Sequence, residues 1–239
     1  MKGNQNMSQF PKAFIFDLDG VITDTAEFHY LAWKQLAEEL GLSIDRQFNE
    51  QLKGISRMES LEKILALDST LSTMSNEEKE RLATKKNAHY LTLIEQLQPD
   101  AILPGIEQLL KKCVEQKVKI ALGSASKNAQ TIVEKLGLID YFDYIVDAAK
   151  VEKGKPDPET FTTAADYLDI PYSDCIGLED AVAGVEAVNS AQMFSVGVGS
   201  IEHLHHADYV VEDTSELRFD DIIKQYQMQR EAGKSTTAK

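Results

Sequence analysis

The 239-residue chain is 43 % hydrophobic, enough for one large domain or two modest ones with a substantial buried core. Its formal net charge of -14 argues against a nucleic-acid or anionic-membrane partner, since both reward clustered Lys and Arg, but a few local cations and a metal could still hold a phosphate. No apolar run approaches the roughly 20 residues of a membrane span, and the start, MKGNQNMSQFPK, lacks the apolar core of a signal peptide. The two cysteines, Cys113 and Cys175, both sit in apolar patterns, so the expectation is a cytoplasmic protein with buried free thiols.

KAFIFDL, 12–18, reads as a buried strand. It runs into FDLDGVITD, where Asp17, Asp19 and Asp24 fall within eight positions. Along a strand, Asp17 and Asp19 would share a face about 7 Å apart. Two carboxylates so placed cost energy unless a cation joins them, one stays protonated, or they have different roles. Gly20 allows a sharp turn, and Asp24 reads as a cap for the helix that follows. In that helix Phe28, Leu31, Ala32, Leu36 and Leu40 keep 3.6-residue spacing, and Gly41 sits where it would stop. A capping box in Ser56 and Glu59 opens a second helix with Leu61, Ile64 and Leu65 on one face; Ser75 and Glu78 repeat the device in a helix running towards Pro99. Residues 25–97 thus read as all helix.

After LPG, 103–105, the pattern changes. A helix at 105–116, the strand KIALGS, a helix ending at 136–137, the strand YIVD, the helix PETFTTAADYL, the strand CIGLED, the helix AVAGVEAVNSA and the strand FSVGV follow in turn. Such alternation implies βαβ units. The first strand has no helix of its own before the helical block, so it belongs with the later units. The expected architecture is a Rossmann-like, doubly wound, mostly parallel α/β core from residues 1–23 and 98–239, with an inserted all-helical cap at 24–97. Residues 230–239 read as a disordered tail. HLHH, 203–206, matches no common metal-site spacing and reads as a polar loop before the strand DYVV.

Ligands of open α/β sheets bind beyond the carboxyl ends of the strands, and four strand ends carry chemistry. Asp17 and Asp19 follow the first. SAS, 124–126, offers hydroxyls and backbone N–H groups to an anion, although Ser124 could equally be a helix cap. Lys155 lies in GKPDPE before a helix, with Lys150 and Lys153 nearby. Glu179 and Asp180 in GLEDAVAG form an acidic pair suited to Mg²⁺, which prefers oxygen ligands. A nucleophile, anion donors, a cation and metal ligands around one crevice are the inventory of phosphoryl transfer. In that chemistry Asp17 would attack phosphorus, aided by Mg²⁺, and Asp19 would act as general acid and base.

FDLDGVITDT, SAS, KPDPE and GLEDAVAG together resemble the four motifs of the haloacid dehalogenase superfamily of phosphotransferases, over nearly the whole chain from about residue 12. Within it, DLDGVITDTAEFHYLAWKQLAEELG, DRQFNEQLKGISR, KKN and SASKN are similar to the β-phosphoglucomutase family, whose members interconvert β-glucose 1-phosphate and glucose 6-phosphate through an aspartyl phosphate and β-glucose 1,6-bisphosphate. The resemblance implies Asp17 as nucleophile and Asp19 as general acid/base. Mg²⁺ would be bound by Asp17, the main-chain oxygen of Asp19 and Asp180, with Glu179 beside them. Ser124 and Lys155, the lysine directly before Pro156, would hold the transferring phosphate. Gly54 and Arg57 in KGISR, with Ser126, Lys127 and Asn128, would bind the substrate and its distal phosphate; His29 and Lys86 would be a lid pair favouring a sugar phosphate over water as acceptor. A cation in the first turn of a helix opposes the dipole, so Arg57 itself calls for an anion. The bisphosphate would be the priming phosphodonor, the partner a small sugar phosphate, and the self-contained domains with an acidic surface fit a monomer. A phosphatase of small phosphate monoesters would need the same core residues without Arg57 or the His29–Lys86 pair. A non-catalytic phosphometabolite-binding protein would be expected to have lost Asp17, Asp19 or the acidic pair, and none is lost.

Overall fold

The computed structural model describes residues 10–237, so the expectation for the first residues lies outside the described ones. Six strands, β1 (Ala13–Phe16), β2 (Lys119–Leu122), β3 (Tyr144–Ile145), β4 (Cys175–Glu179), β5 (Phe194–Val198) and β6 (Tyr209–Val211), form one parallel sheet in the order β3-β2-β1-β4-β5-β6. Every residue of β1 is buried because it sits between β2 and β4, with both faces of the sheet covered. Phe14 and Phe16, with Ile120, Leu122, Ile176 and Leu178, face α5 (Ile106–Glu115), α6 (Ala129–Lys135) and α10 (Phe219–Thr237). Ala13, Ile15, Ala121 and Cys175 face α7 (Glu159–Tyr167) and α8 (Val182–Ser190) on the other side. Each large apolar side chain buried in this way contributes about 1.5–3 kcal/mol. The strand order reverses at β1, which places a crevice at the carboxyl ends of β1, β2 and β4.

Between β1 and α5 the named elements are all helical: α1 (Ala26–Glu39), α2 (Arg46–Glu50), α3 (Arg57–Leu65), α4 (Asn76–Ile94) and short 3₁₀ turns. This cap has its own apolar core of Trp33, Leu36, Ala37, Leu61, Ile64, Leu65 and Ala83. Helix α1 ends as its sequence predicts: Gly41 has φ +76, its N–H reaches Glu38 O, and the Leu42 N–H reaches Ala37 O. Leu31 departs from expectation at 38 % exposed. The buried residues are Tyr30, Ala32, Trp33, Leu36 and Ala37, so the expected Ala32 and Leu36 are inside, with Tyr30, Trp33 and Ala37 widening the apolar face.

Both capping boxes form. In α3 the Glu59 N–H donates to Ser56 Oγ at 3.2 Å, and the Ser56 N–H donates to Glu59 Oε2 at 2.9 Å. Ser56→Ala should therefore lower stability by about 1 kcal/mol, read as a lower midpoint in urea or thermal melts. Glu59→Ala should have a similar but smaller effect.

The two connectors between cap and core are tied to one another. The Leu103 N–H donates to Ile22 O at 2.9 Å, and the Thr23 hydroxyl donates to Ala101 O at 2.8 Å. At the C-terminus the last two residues of the expected tail lie outside the described ones. Helix α10 continues to Thr237, and Arg230 is buried, its guanidinium donating to Asp174 Oδ1 at 3.1 Å and to Ser173 O. The ion pair and the stacking of Arg230 over Tyr226 hold this turn down. Of residues 203–206, His203 and Leu204 end the short helix α9 (Ile201–Leu204), while His205 and His206 follow in a turn, their rings facing the carbonyls of Glu202 and Val182.

Candidate active site

A cavity opens between the cap and the carboxyl ends of the strands. Asp17, Asp19, Ser124, Ser126, Lys127, Asn128 and Asp180 line it from the core, and His29, Gly54, Arg57 and Lys86 from the cap. The predicted site residues Lys155 and Glu179 stand behind Asp17 rather than in the wall.

Asp17 and Asp19 do not share a strand face. β1 stops at Phe16, and the turn that follows sends the two carboxylates to different partners. Gly20 makes that turn with φ +76, and a Cβ there would lie 2.1 Å from Asp180 Oδ2, so only glycine fits. Asp17 Oδ1 accepts from Lys155 Nζ at 2.8 Å. Lys155 is 1 % exposed and also pairs with Glu179, whereas Lys150 is a surface residue beside Asp147. Burial alone would depress the Lys155 ammonium, but Asp17 and Glu179 more than offset it and hold it above the ordinary lysine range. The other Glu179 oxygen accepts from the Asp180 and Ala181 N–H groups at 3.2 and 3.3 Å.

Carboxylate oxygens of Asp17, Glu179 and Asp180 lie within 4.8 Å of one another. Burial, then repulsion from Asp17, raises Glu179 to about 8 and Asp180 to about 7. Hard oxygen donors carrying this unrelieved repulsion fit a divalent cation such as Mg²⁺. With both Glu179 oxygens already engaged, Asp17 and Asp180 are the better-placed ligands. Gly184 sets the space behind them: a Cβ there would sit 1.9 Å from the Glu179 carboxyl carbon. Gly184→Ala should therefore push Glu179 off Lys155 and cost about 3–5 kcal/mol, the scale for breaking a buried ion pair. A urea titration checks this, and a loss below 1 kcal/mol would mean that the pair tolerates displacement.

Asp19 faces the cap. Its Oδ1 accepts from the Thr25 hydroxyl, and its Oδ2 lies 3.7 Å from His29 Nε2. Burial, then the Asp17 charge, lifts Asp19 to about 7. Lys86 Nζ is 2.8 Å from His29 Nδ1 and 4.4 Å from the Trp33 ring centroid, and His29 stacks on Tyr90 at 4.0 Å. Burial, then Arg57, lowers Lys86 to about 7, while burial, then Lys86 and Arg57, holds His29 well below its ordinary value. A neutral His29 accepting at Nδ1 carries its proton on Nε2, the atom turned to Asp19. Lys86, His29 and Asp19 thus form a chain from cap to core.

Ser124 Oγ accepts from the Ser126 N–H at 3.1 Å and, towards the far end, Ser126 Oγ accepts from the Asn128 N–H at 3.2 Å. Asn128 is the N-cap of α6, so Ser124 is not that cap. Arg57 Nη2 donates to Asn87 Oδ1 at 2.9 Å. Gly54, φ +74, brings its backbone against Ala181 of the core, where a Cβ would be 3.3 Å away. Asp24 accepts from the Ala26 N–H at 3.1 Å, a local turn contact at the start of α1. Thr25, Trp33, Asn87 and Tyr90 were not among the expected residues. For Thr25 a signal existed, since it lies one helical turn before His29.

The model of the haloacid dehalogenase-like hydrolases matches residues 11–192. The chain belongs to the haloacid dehalogenase-like hydrolase family. Within that family it is 48 % identical to the β-phosphoglucomutase of Bacillus subtilis over 219 residues, 92 % of this chain and 97 % of the relative. It is 30 % identical to a fructose-1-phosphate phosphatase of Escherichia coli, over 77 % of this chain and 94 % of the relative. A crystal structure of β-phosphoglucomutase from Clostridium difficile superposes with a TM-score of 0.90 at 50 % identity, covering 92 % of this chain and 99 % of that one. The family thus holds both mutases and phosphatases with an α/β core and cap.

Proposed function

We propose that the chain is a β-phosphoglucomutase, interconverting β-glucose 1-phosphate and glucose 6-phosphate. The observation that carries this reading is one cavity with cationic groups at both ends: Lys155 behind Asp17 at one, and Arg57 with Lys127 at the other. Such a cavity suits a substrate that carries phosphate at either end in turn. The 48 % identity to a β-phosphoglucomutase supports the same conclusion.

In this reading Ser124 and Lys155 hold the oxygens of the transferring phosphate, and an Asp17 oxygen attacks phosphorus in line as the bond to the bridging oxygen breaks. Asp19 gives its proton to the leaving oxygen and, in the second half, takes one from the attacking sugar hydroxyl. Phosphate on Asp17, first supplied by β-glucose 1,6-bisphosphate, passes to the bound monophosphate; the bisphosphate then turns end for end. Asp17, Asp180 and the main-chain oxygen of Asp19 would hold Mg²⁺, which when bound neutralises charge on the moving phosphoryl group. Gly54 lets the cap loop close on the core, and Arg57, Ser126, Lys127 and Asn128 grip the phosphate that is not transferring. The Lys86–His29 chain turns Asp19 towards a sugar hydroxyl when the cap is shut, so that water is a poor acceptor. Two free, buried thiols, Cys113 and Cys175, suit the reducing cytoplasm, and the acidic surface and self-contained domains suit a monomer. No helix among the described residues is long and apolar enough to cross a membrane.

Phosphorus NMR with β-glucose 1-phosphate, Mg²⁺ and a trace of the bisphosphate tests the reading. The expected result is signal moving to glucose 6-phosphate with little free phosphate. Free phosphate as the main product would make the protein a sugar phosphatase instead.

A further inference from the structure

Arg57 is a cation without a carboxylate partner among the ion pairs of the described residues. A long, half-buried arginine in that state would sample many rotamers unless something held it. Asn87, next to Lys86 on α4, supplies the hold. Its Oδ1 accepts from Arg57 Nη2 at 2.9 Å and also from Asn128 Nδ2 at 2.8 Å. One amide oxygen therefore joins a cap residue to a core residue. Arg57 and Asn128 line the cavity, and Asn87 does not.

We propose that Asn87 is the positioning residue of the distal phosphate site, its single carboxamide oxygen aiming Arg57 of the cap and Asn128 of the core at the same anion. This rests on the mutase reading above. The neutrality of the acceptor is essential to it. An amide oxygen orients a guanidinium through one hydrogen bond and leaves its charge for the phosphate, whereas a carboxylate in the same place would neutralise it. Because Asn128 belongs to the core, the same contact lines up both donors only when the cap has closed.

The test compares wild type, Asn87→Ala and Asn87→Asp in three measurements. Turnover of β-glucose 1-phosphate gives kcat and KM; glucose 6-phosphate titrations followed by the fluorescence of Trp33, the one tryptophan, give affinity without turnover. Phosphorylation of Asp17 by acetyl phosphate, which has no second phosphate, reports on the near end alone. Asn87→Ala should weaken glucose 6-phosphate binding and raise KM about tenfold, the scale of one hydrogen bond to a charged group, with kcat changed less than about threefold. Asn87→Asp should weaken binding further while melting no lower than wild type. Acetyl phosphate should phosphorylate all three within about twofold. A purely structural Asn87 predicts the reverse for Asp, which keeps both accepted hydrogen bonds and adds an ion pair. Wild-type affinity in either variant would overturn the proposal. If wild type binds glucose 6-phosphate but releases only free phosphate, the mutase reading fails, and weaker binding in both variants would still support the role of Asn87.

Discussion

Asp17→Asn should lower glucose 6-phosphate formation by about 10⁴-fold or more, the scale for removing a covalent nucleophile. The amide is nearly isosteric, so its oxygen can still accept from Lys155, 2.8 Å from the native carboxylate. What it lacks is the anionic oxygen that attacks phosphorus, since the amide nitrogen's electron pair is delocalised into the carbonyl. Two further readouts separate lost chemistry from lost structure. No phosphorus signal of an aspartyl phosphate should appear with acetyl phosphate, and the melting temperature should stay within a few degrees. Activity within tenfold of wild type would remove Asp17 as nucleophile.

Arg57→Ala should reduce kcat/KM for β-glucose 1-phosphate about 100-fold, from the loss of charge-assisted hydrogen bonds worth about 1.5–3 kcal/mol each. Phosphorylation of Asp17 by acetyl phosphate should be nearly unchanged, since nothing in that donor reaches the far end of the cavity. Free phosphate should become a larger share of the product, because a bisphosphate held at one end is released before it can turn. Arg57→Lys should recover part of the loss, as it keeps the charge but not the planar fork. Equal losses with both donors would show that Arg57 supports the fold of the cap rather than the second phosphate.

Much of this arrangement was legible in local patterns. Ser56 with Glu59 and Ser75 with Glu78 announced two helix starts, and Gly41 a helix end, because caps depend on residues only a few positions apart. The acidic and hydroxyl groups at strand ends pointed to the crevice through topology. Other features depend on contacts between distant segments. The placement of Asp17 and Asp19 on one strand face failed because β1 ends early and Thr25 and Lys155 draw the two carboxylates apart. Leu31 was assigned to the apolar face by spacing alone, which is blind to how Trp33 packs against α4. The burial of Arg230, at the start of the expected tail, involves Asp174, 56 positions away. Asn87 stood in a quoted motif, KKN, but its two donors lie 30 and 41 positions away, and spacing along one helix shows neither.

The central strand carries a further consequence for biosynthesis. Residues 13–16 pair with 119–122 and 175–178, so at about 5–20 residues per second β1 emerges on the order of ten seconds before its first neighbour. The cap's apolar core, by contrast, draws only on Trp33 to Ala83 and can close meanwhile. Amides of α1, α3 and α4 should therefore gain protection from exchange in nascent chains that do not yet reach residue 119, while those of β1 stay open. Until β2 appears, AFIF is an unpaired apolar segment of the kind that chaperones shield. The lid should therefore take its shape before the sheet it covers exists.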